Sequence, residues 1–466
     1  MNFTVADLVA VPGSRLRGPS LKSGVRFRGI STDSRTLEKG DLFVALRGEN
    51  FDGHRYVDVA IERGAVAVVV ESSYPITGQE RIPHLVVGST AVALGELALR
   101  YRRKFSLPVL AIGGSNGKTT TKDMIALVLA QRLSVLSTEG NLNNHVGVPQ
   151  TLFRLRPGHD VAVVEIGTNH PGEVRALCGI LEPTHGLVTM IGKEHLEFFR
   201  SISGVAKEEG WLYNFLIGKP RAVAFVNADD PLVVRASKGV RRRVLYGAVA
   251  RGADLRGMVK AADASGRVLL ALRRKGQQRE TEVHLRVPGE HHALNAIAAA
   301  AVGMHFGVSI GQIAKALESF RPVNRRMEVL SFDGMTVLND SYNANPDSTI
   351  AALRTLASAR ARGKRIAVLG DMLELGETSG REHVRVGKEA ARLKIDYVLT
   401  YGEAAREIHR AADGPSAIHY EQKNMLSEYL AELAGPGDIV LVKGSRGMKM
   451  EDVVTFIRER HRPDRT

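Results

Sequence analysis

The chain has 466 residues and a single cysteine, Cys178, so it can form neither an intrachain disulfide nor a cysteine-rich zinc site. It also lacks an apolar run as long as a membrane-spanning helix needs, roughly 18 residues. Residues 1–13 lack the basic start and long apolar stretch of a secretory signal. These absences predict a cytoplasmic protein without membrane insertion, in a compartment that keeps thiols reduced.

Aromatic residues make up only 5% of the chain, whereas 64 lysines and arginines against 50 acidic residues give a net charge of +14. Such an excess fits a nucleic acid, an anionic membrane surface or small anionic substrates. The basic clusters at 100–104, 241–243 and 273–275 are short and scattered, and only the first includes an aromatic residue, Tyr101. We therefore expect no nucleic-acid partner, and a nucleic-acid-stimulated ATPase remains the alternative from a different functional class.

Strand and helix patterns alternate along most of the chain, whose length corresponds to about three domains. Near-continuous apolar runs predict buried strands at 41–46, 65–70, 108–112, 161–166, 187–191, 222–226, 336–338, 365–369, 397–400 and 439–442. Such strands indicate mostly parallel sheets with helices on both faces. The predicted fold class is therefore α/β, with domains at 1–88, 89–321 and 322–466.

Helices are predicted at 56–63, 90–104, 118–132 and 291–306, with Thr90 as the N-cap of the second. Residues 253–287 differ, because their alternating and charged pattern predicts an antiparallel appendage. No Gly-x-Gly-x-x-Gly motif occurs, so no region carries the dinucleotide-binding fingerprint.

The strand predicted at 108–112 leads directly into a small, glycine-rich loop and then into a helix. The loop consists of Gly113, Gly114, Ser115, Asn116, Gly117, Lys118, Thr119 and Thr120. In this context backbone N–H groups and the helix N-terminus bind phosphate, the lysine reaches the β- and γ-phosphates, and the Thr119 hydroxyl coordinates Mg²⁺. The spacing is shorter than the common one, since Ile112 stands where the first glycine would be. The loop predicts ATP binding.

Three residues beyond the loop could complete the site. Glu165 ends a neighbouring predicted strand, where a carboxylate could hold the phosphate-bridging metal or could be merely solvated. His195 follows the next strand and is either a metal ligand or a polar loop residue. Lys207 lies on a predicted helix, and its context alone indicates a surface lysine.

Several further segments occur in a distinctive order. They are Ser-Thr-Asp-Ser-Arg at 31–35, Val-Glu-Ile-Gly-Thr-Asn-His-Pro-Gly-Glu at 164–173, Asn-Asp-Ser-Tyr-Asn-Ala-Asn-Pro at 339–346, Val-Leu-Gly-Asp-Met-Leu-Glu-Leu-Gly at 368–376 and Val-Lys-Gly-Ser-Arg at 442–446. With these segments and the short phosphate loop, the chain resembles the Mur ligases, the ATP-dependent amide-forming enzymes of peptidoglycan precursor synthesis. The resemblance spans nearly the whole chain.

This resemblance implies an N-terminal α/β domain for a nucleotide sugar, a central phosphate-loop ATPase with a parallel sheet, and a C-terminal Rossmann-like domain. It also implies a reaction that joins D-alanyl-D-alanine to a UDP-N-acetylmuramoyl-tripeptide through an acyl phosphate. ATP and two Mg²⁺ ions are the implied cofactors, and we expect a monomer. The absence of an Asp-Asn-Pro-Arg string argues against the sister ligase that adds the third amino acid. The developed N-terminal domain and the 339–346 string argue against a folylpolyglutamate synthetase.

The resemblance further implies roles for individual residues. The implied catalytic residues are Lys118, His195, Lys207 and Arg326. The implied metal ligands are Thr119, Glu165, His195 and Lys207, the last at the position where the family carries a carbamylated lysine. The implied nucleotide contacts are the phosphate loop, Asn295, Arg326 and Asp340. The implied substrate contacts are Ser31, Asp33, Ser34, Arg35, Asn141, Asn143, Asn144, Asn343 and Asn345.

Some of these assignments stay open at the level of sequence. Arg325 stands where the family commonly has glycine, so either Arg325 or Arg326 could contact the γ-phosphate. The role of His292 is open, because the family often has asparagine there. Turn formation explains Asn343 and Asn345 nearly as well as substrate contact does. No motif indicates whether the third peptide residue is lysine or diaminopimelate.

Overall fold

Parallel strands alternate with helices through most of the chain, which confirms the predicted α/β fold class. The computed structural model describes residues 3–20, 25–48, 51–263, 266–322, 325–413 and 416–461. Its strands are β1 Phe3–Thr4, β2 Arg15–Arg17, β3 Arg26–Phe27, β4 Ile30–Ser31, β5 Leu42–Val44, β6 Ala67–Glu71, β7 His84–Val87, β8 Val109–Gly113, β9 Val135–Ser137, β10 Val161–Glu165, β11 His185–Val188, β12 Val223–Asn227, β13 Arg242–Gly247, β14 Leu255–Ala262, β15 Arg267–Arg274, β16 Thr281–Pro288, β17 Glu328–Phe332, β18 Met335–Asp340, β19 Arg365–Gly370, β20 Tyr397–Tyr401, β21 Ala417–Tyr420 and β22 Ile439–Lys443. Its α-helices are α1 Val5–Val9, α2 Val57–Glu62, α3 Thr90–Arg102, α4 Lys118–Leu129, α5 Gly147–Phe153, α6 Glu173–Leu181, α7 Leu196–Phe199, α8 Ile202–Glu209, α9 Trp211–Leu216, α10 Pro231–Ala236, α11 Glu290–His305, α12 Ile310–Ser319, α13 Pro346–Ser358, α14 Ser379–Arg392, α15 Arg406–Ala411, α16 Lys423–Leu433 and α17 Glu451–Arg460.

The chain divides into two compact units. The first contains Met1–Ala111, Leu133–Thr168 and Gly172–His185, and the second contains Ile112–Arg132, Asn169–Pro171 and Gly186–Thr466. In the first unit, a sheet of order β2-β7-β6-β5-β4 is parallel except where β2 meets β7. The domain boundaries drawn from the sequence, at 88/89 and 321/322, stay predictions.

The sheet that carries the phosphate loop has the strand order β16-β15-β14-β13-β12-β11-β8-β10-β9. The residues of β8, β10 and β12 are all buried, which explains why these strands read as continuous apolar runs rather than as alternating ones. The phosphate loop begins where β8 ends. It therefore lies at the carboxyl end of a buried strand, where open α/β sheets bind ligands.

The predicted antiparallel appendage at 253–287 is confirmed as antiparallel but is not separate from the sheet. β14, β15 and β16 form an antiparallel meander, and β14 pairs in parallel with β13 through Tyr246 with Leu255 and Gly247 with Arg256. The meander therefore continues the edge of the sheet, which the alternating pattern alone could not indicate. Residues 264 and 265 of the predicted segment lie outside the described residues.

In the second unit, a C-terminal sheet has the order β17-β18-β22-β19-β20-β21 and is parallel except for the β17–β18 hairpin. The last strand along the chain, β22, lies between β18 and β19. The ends of β18 and β22, Asp340 and Lys443, consequently meet at one edge. This arrangement brings the 339–346 and 442–446 motifs together, although nearly 100 residues separate them in sequence.

The helix predicted from residue 90 does start there, but its predicted N-cap is wrong. Ser89, not Thr90, is the N-cap of α3, because the Ser89 hydroxyl accepts a hydrogen bond from the Val92 N–H. Thr90 is the first helical residue and is buried. Both residues are good capping types, so the sequence could not separate them.

Candidate functional site

The phosphate loop requires glycine at two positions, because neighbouring side chains approach its backbone closely. Gly114 has φ +113°, and a Cβ there would lie 2.3 Å from Thr189 Oγ1. Gly117 has φ +80°, is the N-cap of α4, and would place a Cβ 2.7 Å from Asn295 Oδ1. Ser115 ties the loop to Gly192, whose N–H donates to the serine hydroxyl at 2.8 Å. The backbone at the start of α4 is thereby fixed in place, as a phosphate cradle requires.

The Lys118 side chain is folded back against the loop. Its ammonium donates a hydrogen bond to the Gly114 carbonyl and lies 3.5 Å from Glu194 Oε2. A lysine held within reach of the loop can move its ammonium group from a protein carboxylate to a bound phosphate. Thr119 and Thr120, on the first turn of α4, are both buried. The sequence-predicted loop residues therefore form one site.

Two acidic residues that sequence reasoning missed lie beneath this loop. The Gly114 N–H donates to Glu209 Oε2 at 2.7 Å, and Glu209 is fully buried. Burial raises the pKa of Glu209 to about 8, the neighbouring Glu194 adds to the rise, and the Lys118 ammonium opposes it. Glu194 is itself 4% exposed. The only signal in the sequence was their proximity to His195 and Lys207.

The Lys207 side chain is exposed near the end of α8, whereas Val205, Glu208 and Glu209 of the same helix are buried. No hydrogen bond or ion pair of Lys207 occurs within the part of the chain that the structure describes. The predicted carbamate on Lys207 stays a prediction.

Two asparagines join the phosphate loop to the C-terminal motif. Asn345 Nδ2 donates to Asn116 Oδ1 at 2.9 Å, and Asn116 Nδ2 donates back to Asn345 Oδ1 at 3.3 Å. Asn345 is also the N-cap of α13, since its side chain accepts from the Ser348 N–H. Its amide is therefore committed to capping and to the loop. Asn343 likewise accepts from the Ala344 and Arg446 N–H groups.

His195 contacts a carboxylate from the 368–376 motif. Its Nδ1 lies 2.5 Å from Glu374 Oε2, and the imidazole holds the pKa of Glu374 below its usual range against the effect of burial. Both His195 and Glu374 have positive φ, 45° and 62°. An imidazole whose Nδ1 is oriented by a carboxylate can present its other nitrogen to a metal.

Lys193, the residue just before Glu194, forms an ion pair with a buried glutamate. The Lys193 ammonium lies 2.6 Å from Glu382 Oε1, and Arg385 lies 3.3 Å from the other oxygen of Glu382. Glu382 is 1% exposed. Burial raises the pKa of Glu382, but the two cations outweigh it and hold that pKa below its usual range.

Replacing Glu382 by alanine is expected to lower the free energy of unfolding by about 2 kcal/mol, because the charge-assisted hydrogen bonds of the buried carboxylate to Lys193 and Arg385 are lost. Since the Glu382 pKa is lowered on folding, this contribution is present above the ordinary glutamate pKa and is lost as the pH falls below it. Urea unfolding at neutral and acidic pH measures both effects. The matched control is Glu389→Ala, which removes a carboxylate paired with two exposed arginines and should cost less than about 1 kcal/mol. Equal losses in the two variants would contradict the prediction.

The nucleotide-side residues cluster around α11. Asn295 lies against Gly117, and its Nδ2 is 3.4 Å from His292 Nδ1. Burial lowers the pKa of His292 well below its usual range, and the adjacent His291 and Arg326 act in the same direction. His292 is therefore neutral at physiological pH and can act as a hydrogen-bonding group but not as a cation.

The two candidate arginines have different surroundings. Arg325 Nη1 lies 2.5 Å from Glu451 Oε1, which also pairs with Arg446 at 2.7 Å. The Arg326 guanidinium instead stacks 4.0 Å from the centre of the Tyr342 ring, and its Nε is buried without a hydrogen-bond partner in the described residues. The structure therefore favours Arg326 as the group available to a phosphate.

Asp340 is held by two contacts at the end of β18. Its Oδ2 lies 2.6 Å from the buried Lys443 ammonium, and its Oδ1 accepts from the Met327 N–H at 3.1 Å. Lys443 also donates to the Asn343 carbonyl. Sequence reasoning missed Lys443 as a positioning residue, although the 442–446 motif contains it.

In the first unit, Glu165 and Asn143 form a pair. Asn143 Nδ2 donates to Glu165 Oε1 at 2.9 Å, whereas Glu165 Oε2 is buried and has no partner among the described residues. Asn144 accepts from the Val146 and Gly147 N–H groups near the start of α5, and the Asn141 carbonyl accepts from the Asn143 N–H. Glu165 therefore has one oxygen oriented by the protein and one left for a ligand.

The 31–35 segment, also in the first unit, forms a compact turn. The Ser31 hydroxyl donates to the Asp33 carbonyl, and the Arg35 guanidinium pairs with both carboxylate oxygens of Asp33. That contact lowers the pKa of Asp33 to about 2. Ser34 is buried beside them, while Arg35 is exposed.

Oxygen atoms suited to a hard cation occur at the site, but they do not form a complete set of ligands. Within the described ranges, no group of three or more His, Cys, Asp or Glu side chains is arranged to hold a metal ion. Mg²⁺ commonly binds one or two carboxylates and takes its remaining ligands from phosphate and water. The residues present therefore fit a cation that binds together with a nucleotide. No helix among the described residues is long and apolar enough to cross a membrane.

Three family models match this chain in succession. They are described as "Mur ligase family, catalytic domain" at 26–109, "Mur ligase middle domain" at 112–303 and "Mur ligase, glutamate ligase domain" at 325–446. The middle match begins at Ile112, immediately before the phosphate loop. The last match includes Asn343, Glu374 and Lys443.

Several proteins and structures that are similar to this chain over nearly its full length are ligases of one kind. The chain is 36% identical over 464 residues to the UDP-N-acetylmuramoyl-tripeptide–D-alanyl-D-alanine ligase of Escherichia coli, covering 98% of this chain and 99% of that protein. A crystal structure of MurF from Acinetobacter baumannii is 30% identical, with a TM-score of 0.89 over 98% of this chain and 99% of that one. The MurF ligase of Thermotoga maritima in complex with ADP is 27% identical, with a TM-score of 0.83 over 94% and 99%.

Proposed function

Because this chain belongs to the Mur ligase family, we propose that it joins D-alanyl-D-alanine to a UDP-N-acetylmuramoyl-tripeptide at the expense of ATP. The observation that carries the proposal is the full-length similarity to proteins of that name, together with a complete phosphate loop. The product would be the UDP-N-acetylmuramoyl-pentapeptide precursor of peptidoglycan, with ADP and phosphate released.

The reaction needs two anions, a peptide carboxylate and a triphosphate, to approach each other. The loop backbone and Lys118 neutralise and orient the phosphates, and Arg326 supplies a second cation that no protein carboxylate neutralises in the described residues. The carboxylate then takes the γ-phosphoryl group, and the dipeptide amine displaces phosphate from the resulting acyl phosphate. Holding the reactants in position supplies much of the rate enhancement in such transfers.

The cofactors of the proposed reaction are ATP and Mg²⁺. Thr119, Glu165 and His195 are the residues we propose as Mg²⁺ ligands, since each offers an oxygen or nitrogen of suitable chemistry. When bound, the cation would reduce the negative charge of the phosphates. The predicted carbamate on Lys207 has no support from the position of that side chain.

The substrate contacts follow the earlier expectations with two changes. Ser31, Asp33, Ser34 and Arg35 remain our candidates for the nucleotide sugar. Asn141, Asn143 and Asn144 remain candidates for the peptide. Asn343 and Asn345 use their side chains within the protein, so we propose that they shape the dipeptide site rather than donate to it directly. A monomeric state and a cytoplasmic location also stay predictions.

The function is tested by the acceptor dependence of phosphate release. The purified chain is mixed with ATP, Mg²⁺ and UDP-N-acetylmuramoyl-tripeptide ending in lysine or in diaminopimelate, and the acceptor is varied. We expect rapid release only with D-alanyl-D-alanine, and the pentapeptide product should be detected by mass spectrometry. Release that depends on free diaminopimelate or lysine instead would indicate a sister ligase. Stimulation by DNA or RNA would indicate a nucleic-acid-dependent ATPase.

A further inference from the structure

The helix α8 presents two ionisable side chains to opposite environments. Glu209 is fully buried under the phosphate loop, and Lys207 is exposed. Two residues apart on an α-helix lie about 200° around its axis, so the two side chains cannot serve the same site without unwinding the helix. The residue of α8 that reaches the loop is therefore an acid.

The carboxylate of Glu209 is only half satisfied. Its Oε2 accepts the Gly114 N–H at 2.7 Å, whereas its Oε1 is buried with no hydrogen-bond partner in the described part of the chain. Glu194 repeats this pattern, since its Oε2 lies 3.5 Å from the Lys118 ammonium and its Oε1 is buried and unpartnered. Leaving buried carboxylate oxygens without partners is costly, so such atoms indicate a missing ligand.

A second cation is needed to balance these charges once nucleotide binds. Among the described residues, the Lys118 ammonium is the cation that lies near both acids. If Lys118 turns to the β- and γ-phosphates, the two buried acids face a polyphosphate with no cation among the described residues left between them. Mg²⁺ prefers oxygen ligands and normally takes one or two carboxylates together with phosphate oxygens. The two free oxygens fit that requirement.

We propose that Glu209 and Glu194 provide the buried carboxylates for a divalent cation at the phosphate loop, and that this chain needs no carbamate on Lys207. A carbamate converts a lysine ammonium into an anion, and a site that already contains a buried glutamate has no need of that conversion. The inference rests on the proposed function only for the identity of the nucleotide. It assigns Glu209 a role that the resemblance gave to Lys207.

The main test compares two variants of the same helix, Glu209→Gln and Lys207→Gln. Binding of Mn²⁺, as a probe for Mg²⁺, is measured on the full chain with saturating ADP by electron paramagnetic resonance. We expect Glu209→Gln to weaken Mn²⁺ binding by at least about tenfold, which is the usual effect of losing a contact at a metal site. We expect Lys207→Gln to change Mn²⁺ affinity less than about twofold. The reverse order of effects would overturn the proposal. ADP affinity without Mn²⁺ should not fall in either variant, which shows that the loop is intact.

A measurement without any substitution covers the case in which Glu209→Gln does not fold. The unmodified chain is prepared in CO₂-free buffer and then supplied with ¹³C-bicarbonate. We expect the same Mn²⁺ affinity in both conditions and no carbamate carbon signal in the NMR spectrum. A carbamate signal that Lys207→Gln abolishes, or an Mn²⁺ affinity that bicarbonate restores, would refute the proposal. Glu194→Gln gives a further variant and should weaken Mn²⁺ binding in the same direction.

These measurements use no peptide substrate. If the chain bound Mn²⁺ through Glu209 but did not use D-alanyl-D-alanine, the proposed function would fail while the metal-site assignment stood. If it ligated D-alanyl-D-alanine only with a carbamylated Lys207, the opposite would hold.

Discussion

Replacing Lys118 by alanine is expected to lower kcat/KM for ligation about a thousandfold, the loss typical of removing a group that stabilises transition-state charge. Lys118 lies at the first position of α4, with its ammonium held by the Gly114 carbonyl and by Glu194. The Lys118 ammonium should interact more strongly with the γ-phosphoryl group in the transition state than in the bound ground state. The larger part of the loss should therefore appear in kcat.

The measurement is steady-state phosphate release, with calorimetric titration of ADP and of a non-hydrolysable ATP analogue. The analogue should lose more affinity than ADP does, since Lys118 reaches the terminal phosphates. The control is Lys238→Ala, an exposed lysine of the same unit, and it should keep nearly full activity. If Lys118→Ala kept more than about a tenth of the unmodified activity, the phosphate-loop assignment would be wrong.

Replacing Arg326 by alanine should lower kcat about a hundredfold, whereas Arg325→Ala should lower it less than fivefold, as expected when only one of two adjacent arginines stabilises the transferring phosphoryl group. The adjacent arginines form a matched pair with the same charge and opposite surroundings. Glu451 neutralises Arg325, while Arg326 stacks on Tyr342 beside the neutral His292. A guanidinium on an aromatic face keeps its hydrogen-bond donors for a ligand.

Single-turnover phosphate release separates this effect from nucleotide binding. Arg326→Lys should recover only part of the activity, because an ammonium keeps the charge but loses the planar donor arrangement. Thermal unfolding of both alanine variants checks that the fold is retained. A larger loss in Arg325→Ala than in Arg326→Ala would reverse the assignment.

The sequence predicted those features that depend on local pattern. The strand before the loop, the loop glycines and the start of α4 all follow from short-range chemistry, and the structure contains them at the expected positions. Glycine at 114 and 117 is required by the positive φ of the loop backbone, which is a local property, and for this reason such a motif can be recognised in the sequence alone.

The structure was needed wherever distant segments meet or side-chain direction matters. Glu209 and Lys207 are both ionisable residues of one helical segment, and the sequence does not indicate which of them is buried. Only the packing of α8 shows that it is Glu209. Likewise, the sequence could not distinguish Arg325 from Arg326, and only the structure shows that Arg325 pairs with Glu451, far along the chain. The structure was also needed to show that the sheet continues from β13 to β14. The alternation of apolar and polar residues within one strand does not specify which strand it pairs with.

By itself, the sequence determined the α/β class, the nucleotide-binding loop and the family, because each rests on short motifs whose own residues are close together in the chain. The tertiary structure decided which side chains contact one another within the site. It pairs Asn116 with Asn345 and His195 with Glu374, it ties Asp340 to Lys443, and it places Glu209 rather than Lys207 under the loop. The physical reason is that burial and charge pairing depend on every element packed around a side chain, and the local sequence specifies only one of those elements.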